Sequence, residues 1–193
     1  MLEAMDSVRK TGDEPFLNGG SSTLLDYWAW AHSDIMGNTE RGIIAEYIVA
    51  MAVNAHKDTR TEWGSYDVLT KENIKVEVKS SAYIQTWIQK KYSDIQFGIR
   101  PTKAWNQSDN TYEPTRKRQA DVYVFCVFNC MEQDIANPID LNQWEFYVLN
   151  AKKLDRVIPN QKTIRLSGIN KFGAQKTDFS GLNQKIQSEY LAE

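Results

Sequence analysis

Apolar and polar residues alternate most strictly in the segment IKVEVKS, residues 74–80. An alternation of period two predicts a β-strand with one buried face. The segment SYDVLT, residues 65–70, is rich in aromatic and β-branched residues, and the tripeptide KEN between the two segments is typical of a turn. We therefore expect a β-hairpin whose second face carries Asp67, Glu77 and Lys79.

Helical spacing of apolar residues precedes this hairpin. The segments TLLDYWAWAHSDIMG (23–37) and ERGIIAEYIVAMAVN (40–54) repeat apolar residues at intervals of three and four. Gly37 is expected to end the first helix, and either Asn38 or Thr39 is expected to cap the second. The pattern thus predicts two consecutive helices before the hairpin.

Strand patterns dominate the chain after the hairpin. The segment ADVYVFCVF (120–128) is apolar on both faces, which is typical of a central strand covered on both sides. DIQFGIR (94–100) and WEFYVLN (144–150) predict further strands, the polar segment 101–118 predicts a long loop, and LNQKIQSEYLAE (182–193) predicts a final helix. This order of elements predicts an α/β fold in which helices cover both faces of a sheet.

Length and composition place the chain among globular domains. With 193 residues it is long enough for one buried core and short for two, so we expect a single domain over residues 1–193. No apolar stretch approaches the ~20 residues of a membrane span, and the N-terminus lacks the apolar core of a signal peptide. Cys126 and Cys130, with only two histidines in the chain, make a poor zinc site and are expected to be free thiols in a cytoplasmic protein.

The net charge of −2 argues against a protein that coats nucleic acid nonspecifically, although it allows one local face that contacts nucleic acid. The charge is uneven along the chain. Residues 1–40 hold two basic and seven acidic residues (net −5), whereas residues 150–178 hold seven basic and two acidic residues (net +5). For any single basic run, a solvated surface is the favoured interpretation over a nucleic-acid contact.

The hairpin brings two carboxylates together. If Val68 pairs with Val76, the apolar sets of both strands match on one face, and Asp67 falls opposite Glu77 on the other. Like charges directly opposite each other destabilise a sheet, unless a divalent cation lies between them. Mg²⁺ prefers oxygen ligands, and Lys79 points to the same side as Glu77, where it can orient a water or stabilise charge on a phosphate.

Glu46 is a third candidate, because it is the only charged residue between Ile43 and Val53. An acid in so apolar a helix needs a partner or a solvated edge. One interpretation places it at the polar margin of an amphipathic helix. With the carboxylate pair present, the other interpretation has Glu46 reaching the same cation, directly or through water.

The set Glu46, Asp67 and Glu77-Val78-Lys79 resembles the PD-(D/E)XK nuclease superfamily, which has the fold of type II restriction endonucleases. The resemblance covers roughly residues 38–150 and departs from the family at Tyr66, where the family has proline. It implies a restriction-endonuclease-like mixed central β-sheet flanked by helices, with an αβββαβ-type core. It also implies that Asp67, Glu77 and the backbone carbonyl of Val78 bind Mg²⁺, with Mn²⁺ as a substitute, that Lys79 assists the water and that Glu46 supports the metal.

Basic and polar residues around the long loop are the candidates for DNA contacts, because a nuclease needs groups that bind phosphate. They are Gln85, Lys90, Lys91, Arg100, Lys103, Arg116, Lys117 and Arg118. Cutting both strands of a duplex calls for two active sites, so we expect a homodimer acting on double-stranded DNA.

These features predict a Mg²⁺-dependent DNA endonuclease of the restriction type. A repair, junction or RNA nuclease of the same superfamily is an alternative. Two others are a noncatalytic DNA-binding or assembly protein with a nuclease-like fold, and a structural protein in which Asp67 and Glu77 are merely exposed.

Overall fold

The centre of the molecule is a mixed β-sheet. The computed structural model describes residue 5 and residues 7–62, 64–106 and 108–192. The strands in this part of the chain are β1 (Val68–Leu69), β2 (Lys75–Ala82), β3 (Gln96–Gly98), β4 (Trp105–Asn106), β5 (Thr111–Tyr112), β6 (Val122–Phe128), β7 (Trp144–Asn150), β8 (Thr163–Arg165) and β9 (Gln175–Thr177). The helices are α1 (Leu24–His32), α2 (Asn38–Ala52), α3 (Ala151–Val157), α4 (Leu166–Lys171) and α5 (Leu182–Leu191).

Five strands form the central sheet in the order β1-β2-β6-β7-β9. Strands β2 and β6 are parallel, with Val76 opposite Val122, and the other neighbours are antiparallel. All seven residues of β6 are buried, which confirms the predicted central strand covered on both sides. A parallel pair requires a crossover, and here residues 83–121 make it, with β3, β4 and β5 on the way.

One face of the sheet packs against α2 and α5. Their buried residues, among them Ile48, Val49 and Ile186, join Val76 and Val124 of the sheet in one apolar cluster. Helix α2 buries this face because Ala45, Ile48 and Val49 recur at helical spacing.

The opposite face is covered by α3, α4 and a separate two-stranded sheet of β3 and β8. Phe97 of β3 packs on Phe125 of β6 with ring centroids 5.0 Å apart, and Leu154 of α3 and Ile169 of α4 are fully buried beside them. The predicted mixed α/β fold, with helices on both faces of a sheet, is therefore confirmed.

The bounds of the first two helices differ from the prediction. Helix α1 ends at His32, and Gly37 is the residue that precedes α2, not the end of α1. A turn in which the Gly37 N–H donates to the Asp34 carbonyl, at 2.9 Å, separates the two helices. At its start α1 has a capping box of Thr23 and Asp26, which satisfies backbone N–H groups that the helix leaves free.

The segment 101–118 is not only a loop. It contains the β4–β5 hairpin, whose base is closed by two hydrogen bonds of 3.0 Å between the backbones of Thr102 and Lys117. At the C-terminus, α5 begins at the predicted residue, and Glu193 lies outside the described residues.

Cys126 and Cys130 are both buried free thiols, as expected. None of the helices in the described ranges has the length and apolar character needed to cross a bilayer.

Candidate nuclease site

The β1–β2 hairpin has the register that the apolar pattern predicts. Val68 pairs with Val76 and Leu69 with Lys75. Both valines are buried against α2, so a shift of one residue would expose them and bury charged neighbours. Asp67 directly precedes β1, so continued regular pairing would put it across from Glu77.

The backbone of Asp67 leaves the regular ladder. Its N–H donates to the carbonyl of Val76 at 3.0 Å, although Val68 is the residue paired with Val76. Two residues opposite one is the arrangement of a β-bulge, which turns a side chain in a new direction. The Asp67 carboxylate turns along the edge of β2, where Oδ2 accepts the N–H of Val78 at 2.6 Å. The N–H and C=O of one strand residue face the same edge, so the Val78 carbonyl is also on the Asp67 side.

Lys79 and Glu77 lie two residues apart on β2 and thus on one face of the sheet. The Lys79 Nζ is 2.5 Å from Glu77 Oε1, and 31% and 21% of the two side chains are exposed. Burial alone would lower the pKa of Lys79. The Glu77 carboxylate outweighs burial, with help from Asp67 and Glu46, and the pKa of Lys79 is raised. The lysine is therefore a firmly charged ammonium group.

On Asp67, burial shifts the pKa in the direction opposite to its effect on Lys79. Burial raises the pKa of Asp67 to about 6, and the nearby carboxylates of Glu77 and Glu46 add to the rise. The Val78 N–H and the Lys79 ammonium lower it, without cancelling the rise. Three carboxylates thus lie within electrostatic reach of one another, with more negative charge than the lysine neutralises.

Glu46 of α2 is held by a residue that the sequence analysis does not identify. The Arg60 guanidinium binds both of its oxygens, with Nε 2.5 Å from Oε2 and Nη2 3.0 Å from Oε1. These hydrogen bonds are the main reason why the pKa of Arg60 is raised. The apolar surroundings of Glu46 in the sequence indicate that this acid needs a partner. No sequence spacing identifies Arg60 as that partner, because Arg60 reaches Glu46 from the irregular segment after α2.

Tyr123 lines the site from the neighbouring strand. It is the register partner of Glu77 on β6 and is 3% exposed. Burial and the Glu77 charge raise the pKa of its hydroxyl, so Tyr123 is a neutral phenol beside the carboxylates.

The residues present fit a hard divalent cation. Carboxylate oxygens of Asp67 and Glu77 and the carbonyl of Val78 are the donor types that Mg²⁺ prefers, usually completed by water and substrate phosphate. Both oxygens of Glu46 are bound to Arg60. Across the described residues, no three His, Cys, Asp or Glu side chains are grouped as a ready metal cage. A cation here would therefore rest on two carboxylates, one carbonyl and groups supplied from outside.

The predicted DNA-contacting residues separate into three groups. Arg100, Lys103, Arg116 and Lys117 are exposed around the base of the β4–β5 hairpin. The base of the hairpin leads into Val122, the first residue of β6. Val122 pairs with Val76, next to Glu77, at the start of β2. These four residues therefore belong to the end of the sheet that carries Asp67 and Glu77.

Gln85, Lys90 and Lys91 lie beyond the other end of β2. Glu77 and Ala82 are five residues apart on this strand, or roughly 16 Å. Lys90 and Lys91 are exposed, whereas Gln85 belongs to an internal network in which Oε1 accepts Nη2 of Arg41 at 3.0 Å.

Arg118 does not have the surface position that a DNA contact requires. Its side chain is fully buried, and its Nη1 forms an ion pair with Asp155 of α3. Nε donates to the Ile99 carbonyl at 3.1 Å and Nη2 to the Ile158 carbonyl at 3.0 Å. Arg118 is therefore a structural anchor for the base of the hairpin, and its neighbours Arg116 and Lys117 are the exposed ones.

Comparisons with known proteins give a family match and a distant structural likeness. A bacterial homing endonuclease of known structure shares 21% identity, covering 67% of this chain and 77% of that chain, with a TM-score of 0.35, which is too distant for assigning a function. None of the curated proteins matches the chain significantly. The family model of bacteriophage T4 endonuclease IV matches residues 25–168, about three quarters of the chain, including every residue of the candidate site. The chain therefore belongs to the bacteriophage T4 endonuclease IV family of endonucleases.

Proposed function

We propose that the protein is a Mg²⁺-dependent DNA endonuclease, of the restriction type, with a PD-(D/E)XK site in an αβββαβ-type core. The observation that carries the proposal is the convergence of Asp67, Glu77, Val78 and Lys79 at one edge of β2. Membership of an endonuclease family supports the reaction, and the oxygen donors support the metal.

The roles of the side chains follow from their charges. When bound, Mg²⁺ supplies a Lewis acid and a water of lowered pKa. Asp67 and Glu77 would hold it with the Val78 carbonyl, and Mn²⁺ would substitute. Above its pKa of about 6, Asp67 is ionised and able to do so. Lys79, held 2.5 Å from Glu77, presents a permanent positive charge to the phosphate and orients the attacking water.

Two exposed basic regions would carry the nucleic acid to this site. The first is the base of the β4–β5 hairpin, since a two-stranded β-ribbon fits the major groove of DNA. The second lies on α3, β8 and α4, which cover the sheet face to which Glu77 and Lys79 belong. Its exposed members are Arg156, Arg165 and Lys171, together with Lys162, which directly precedes β8.

Duplex cleavage adds two expectations. Two strands of opposite polarity require two active sites, so a C₂ homodimer is the simplest arrangement. Two free thiols in the interior are compatible with the reducing environment of the cytoplasm.

Cleavage assays with matched variants test the proposal. Wild-type protein should cut duplex DNA in Mg²⁺ or Mn²⁺ but not in Ca²⁺ or EDTA, and Asp67→Ala and Lys79→Ala should lose at least a hundredfold in rate. Lys75→Ala is the matched control, because Lys75 is an exposed lysine of the same strand that stacks on Tyr66, with Nζ 5.7 Å from the ring centroid. Cleavage that survives both site variants would refute this mechanism.

A noncatalytic DNA-binding protein is the second candidate. It is favoured by one observation: Glu77 and Glu46 already have cationic partners in Lys79 and Arg60. Binding of DNA without cleavage in either metal would support it. Product mapping on duplex, branched and RNA substrates would separate a restriction-type enzyme from a repair or junction nuclease.

A further inference from the structure

Arg60 lies in the connection between α2 and β1, whose described residues, 53–62 and 64–67, form neither helix nor strand. This segment is exposed around Arg60. Its preceding part is fastened by Arg9, whose Nη1 donates to the carbonyls of His56 at 2.9 Å and Lys57 at 2.6 Å. Arg9 and Arg60 thus both fix this segment by hydrogen bonds. Of the two, Arg60 is the one bound to a carboxylate of the site, that of Glu46.

The charge balance of the site depends on Arg60. The carboxylates of Glu46, Asp67 and Glu77 face the cations of Lys79 and Arg60, which leaves one net negative charge. The Arg60 side chain is 41% exposed, and its partner Glu46 is 18% exposed. The guanidinium is therefore reachable from solvent while it neutralises an acid that faces inward.

A guanidinium binds carboxylate and phosphate with the same two-pronged geometry. In the protein without a divalent cation, Arg60 provides Glu46 with the positive charge that its apolar surroundings require. A cation bound between Asp67 and Glu77 would supply that charge instead, directly or through a water on Glu46. Arg60 would then be left beside a site that a phosphate has just entered.

We propose that Arg60 is an exchangeable counter-charge. It occupies Glu46 in the cation-free protein and transfers to a phosphate of the substrate when cation and nucleic acid bind. This inference rests on the proposed function, because it assumes that Asp67 and Glu77 receive a cation and that the substrate carries phosphate.

The first test is a Ca²⁺ titration without nucleic acid. Calorimetry measures the binding, and thermal unfolding measures the stability gained. Arg60→Gln removes the competing charge from Glu46, so it should bind Ca²⁺ about tenfold more tightly than wild type and gain more thermal stability from it. Arg9→Ala is the matched control: it loosens the same segment without freeing Glu46 and should keep the wild-type affinity. Unchanged or weaker Ca²⁺ binding by Arg60→Gln would overturn the proposal.

The second test measures binding of a short DNA duplex in Ca²⁺ at several salt concentrations. Arg60→Gln should bind more weakly, with the slope of log K against log salt reduced by about 0.9, the value for one lost phosphate contact. Arg60→Lys should keep the slope but lose part of the affinity, because a lysine has the charge without the two-pronged geometry. A wild-type slope in Arg60→Gln would contradict phosphate binding by this residue.

Different results would refute the proposed function and the exchange of Arg60. If wild type neither binds Ca²⁺ nor cleaves DNA, the proposed function is wrong and the exchange is wrong with it. If wild type does both, Asp67→Ala does neither and Arg60→Gln matches wild type, only the exchange is refuted.

Discussion

Asp67 is the residue at which stability and the proposed chemistry conflict. It sits in a bulge before a strand of two residues, partly buried, facing one carboxylate across the hairpin and another on α2. The Val78 N–H and the Lys79 ammonium offset only part of this repulsion. A residue selected for folding alone would not be an acid at this place, and this is the strongest residue-level sign of function.

The raised pKa of Asp67 predicts a pH-dependent gain in stability for Asp67→Asn. The folded protein holds the Asp67 proton up to about pH 6, whereas the unfolded chain releases it near its ordinary value of 3.8, so the native state loses stability as pH rises between these values. The amide can still accept the Val78 N–H but carries no charge. In EDTA the variant should exceed wild type by about 1–3 kcal/mol above pH 6 and match it near pH 3.5.

Urea unfolding at pH 3.5, 5 and 7.5 measures this difference, and the same preparation should have no cleavage activity. Glu72→Gln, in the exposed turn of the hairpin, is the control and should match wild type at every pH. An Asp67→Asn variant that is less stable than wild type at pH 7.5 would show that the carboxylate is not under electrostatic strain.

Arg118 and Lys117 are adjacent in sequence, but substitution should destabilise the protein at Arg118 and have little effect on its stability at Lys117. Arg118→Met leaves the buried Ile99 carbonyl without the Arg118 donor, removes one of the two donors of the Ile158 carbonyl and takes away the partner of the half-exposed Asp155. We therefore expect a loss of about 1–3 kcal/mol in the free energy of unfolding. Lys117→Ala removes an exposed ion pair with Glu113 and should change it by less than about 0.5 kcal/mol. Chemical unfolding of both variants checks the pair, and a stable Arg118→Met protein would mean that the hairpin base needs no anchor.

At the scale of elements, the sequence predicts what local patterns determine. The β1–β2 register follows from valines and a short turn within a few residues, and the burial of β6 follows from an apolar run on both faces. Strand β9 and the contact between Arg60 and Glu46 have no such local signal. Strand β9 exists because β7 offers a free edge to the short segment QKT, and Arg60 reaches Glu46 through the path of an irregular segment. Both depend on tertiary packing, which single-sequence periodicity does not encode.

The β4–β5 hairpin is expected to be dispensable for folding and necessary for binding. It is held by its own contacts, such as Trp105 Nε1 donating to Asn110 Oδ1 at 3.1 Å, and Tyr112 is 63% exposed. Replacing residues 103–116 by an Asn-Gly turn keeps the hydrogen-bonded Thr102–Lys117 pair directly beside a two-residue turn. We expect the free energy of unfolding to change by less than about 1 kcal/mol, and the affinity for duplex DNA in Ca²⁺ to fall at least tenfold. Unchanged affinity would remove the hairpin from the DNA-binding surface.

At the scale of the whole molecule, the two faces of the sheet have different tasks. The face under α2 and α5 contains the apolar cluster around Val76 and Val124. The other face combines an apolar cluster with Glu77, Lys79 and the basic exterior of α3 and α4. The sequence revealed the basic bias of residues 150–178 but not its position beside the site, because α3 is brought there by the Arg118–Asp155 contact and by its burial on the sheet.

This arrangement predicts a local electrostatic surface on a molecule whose net charge is −2. Neutralising three exposed residues of that exterior, in the variant Arg156→Gln, Lys162→Gln, Lys171→Gln, should weaken DNA binding and lower the slope of log K against log salt by up to about 2.7, or 0.9 for each phosphate contact. The control variant Lys10→Gln, Lys57→Gln, Lys185→Gln makes the same change in net charge elsewhere on the molecule. If net charge alone governed binding, the two variants would lose equal affinity. A larger loss in the first variant, with unchanged cleavage of DNA at saturating concentration, would assign binding to the face that carries Glu77 and Lys79, because phosphate contacts act only where the backbone lies.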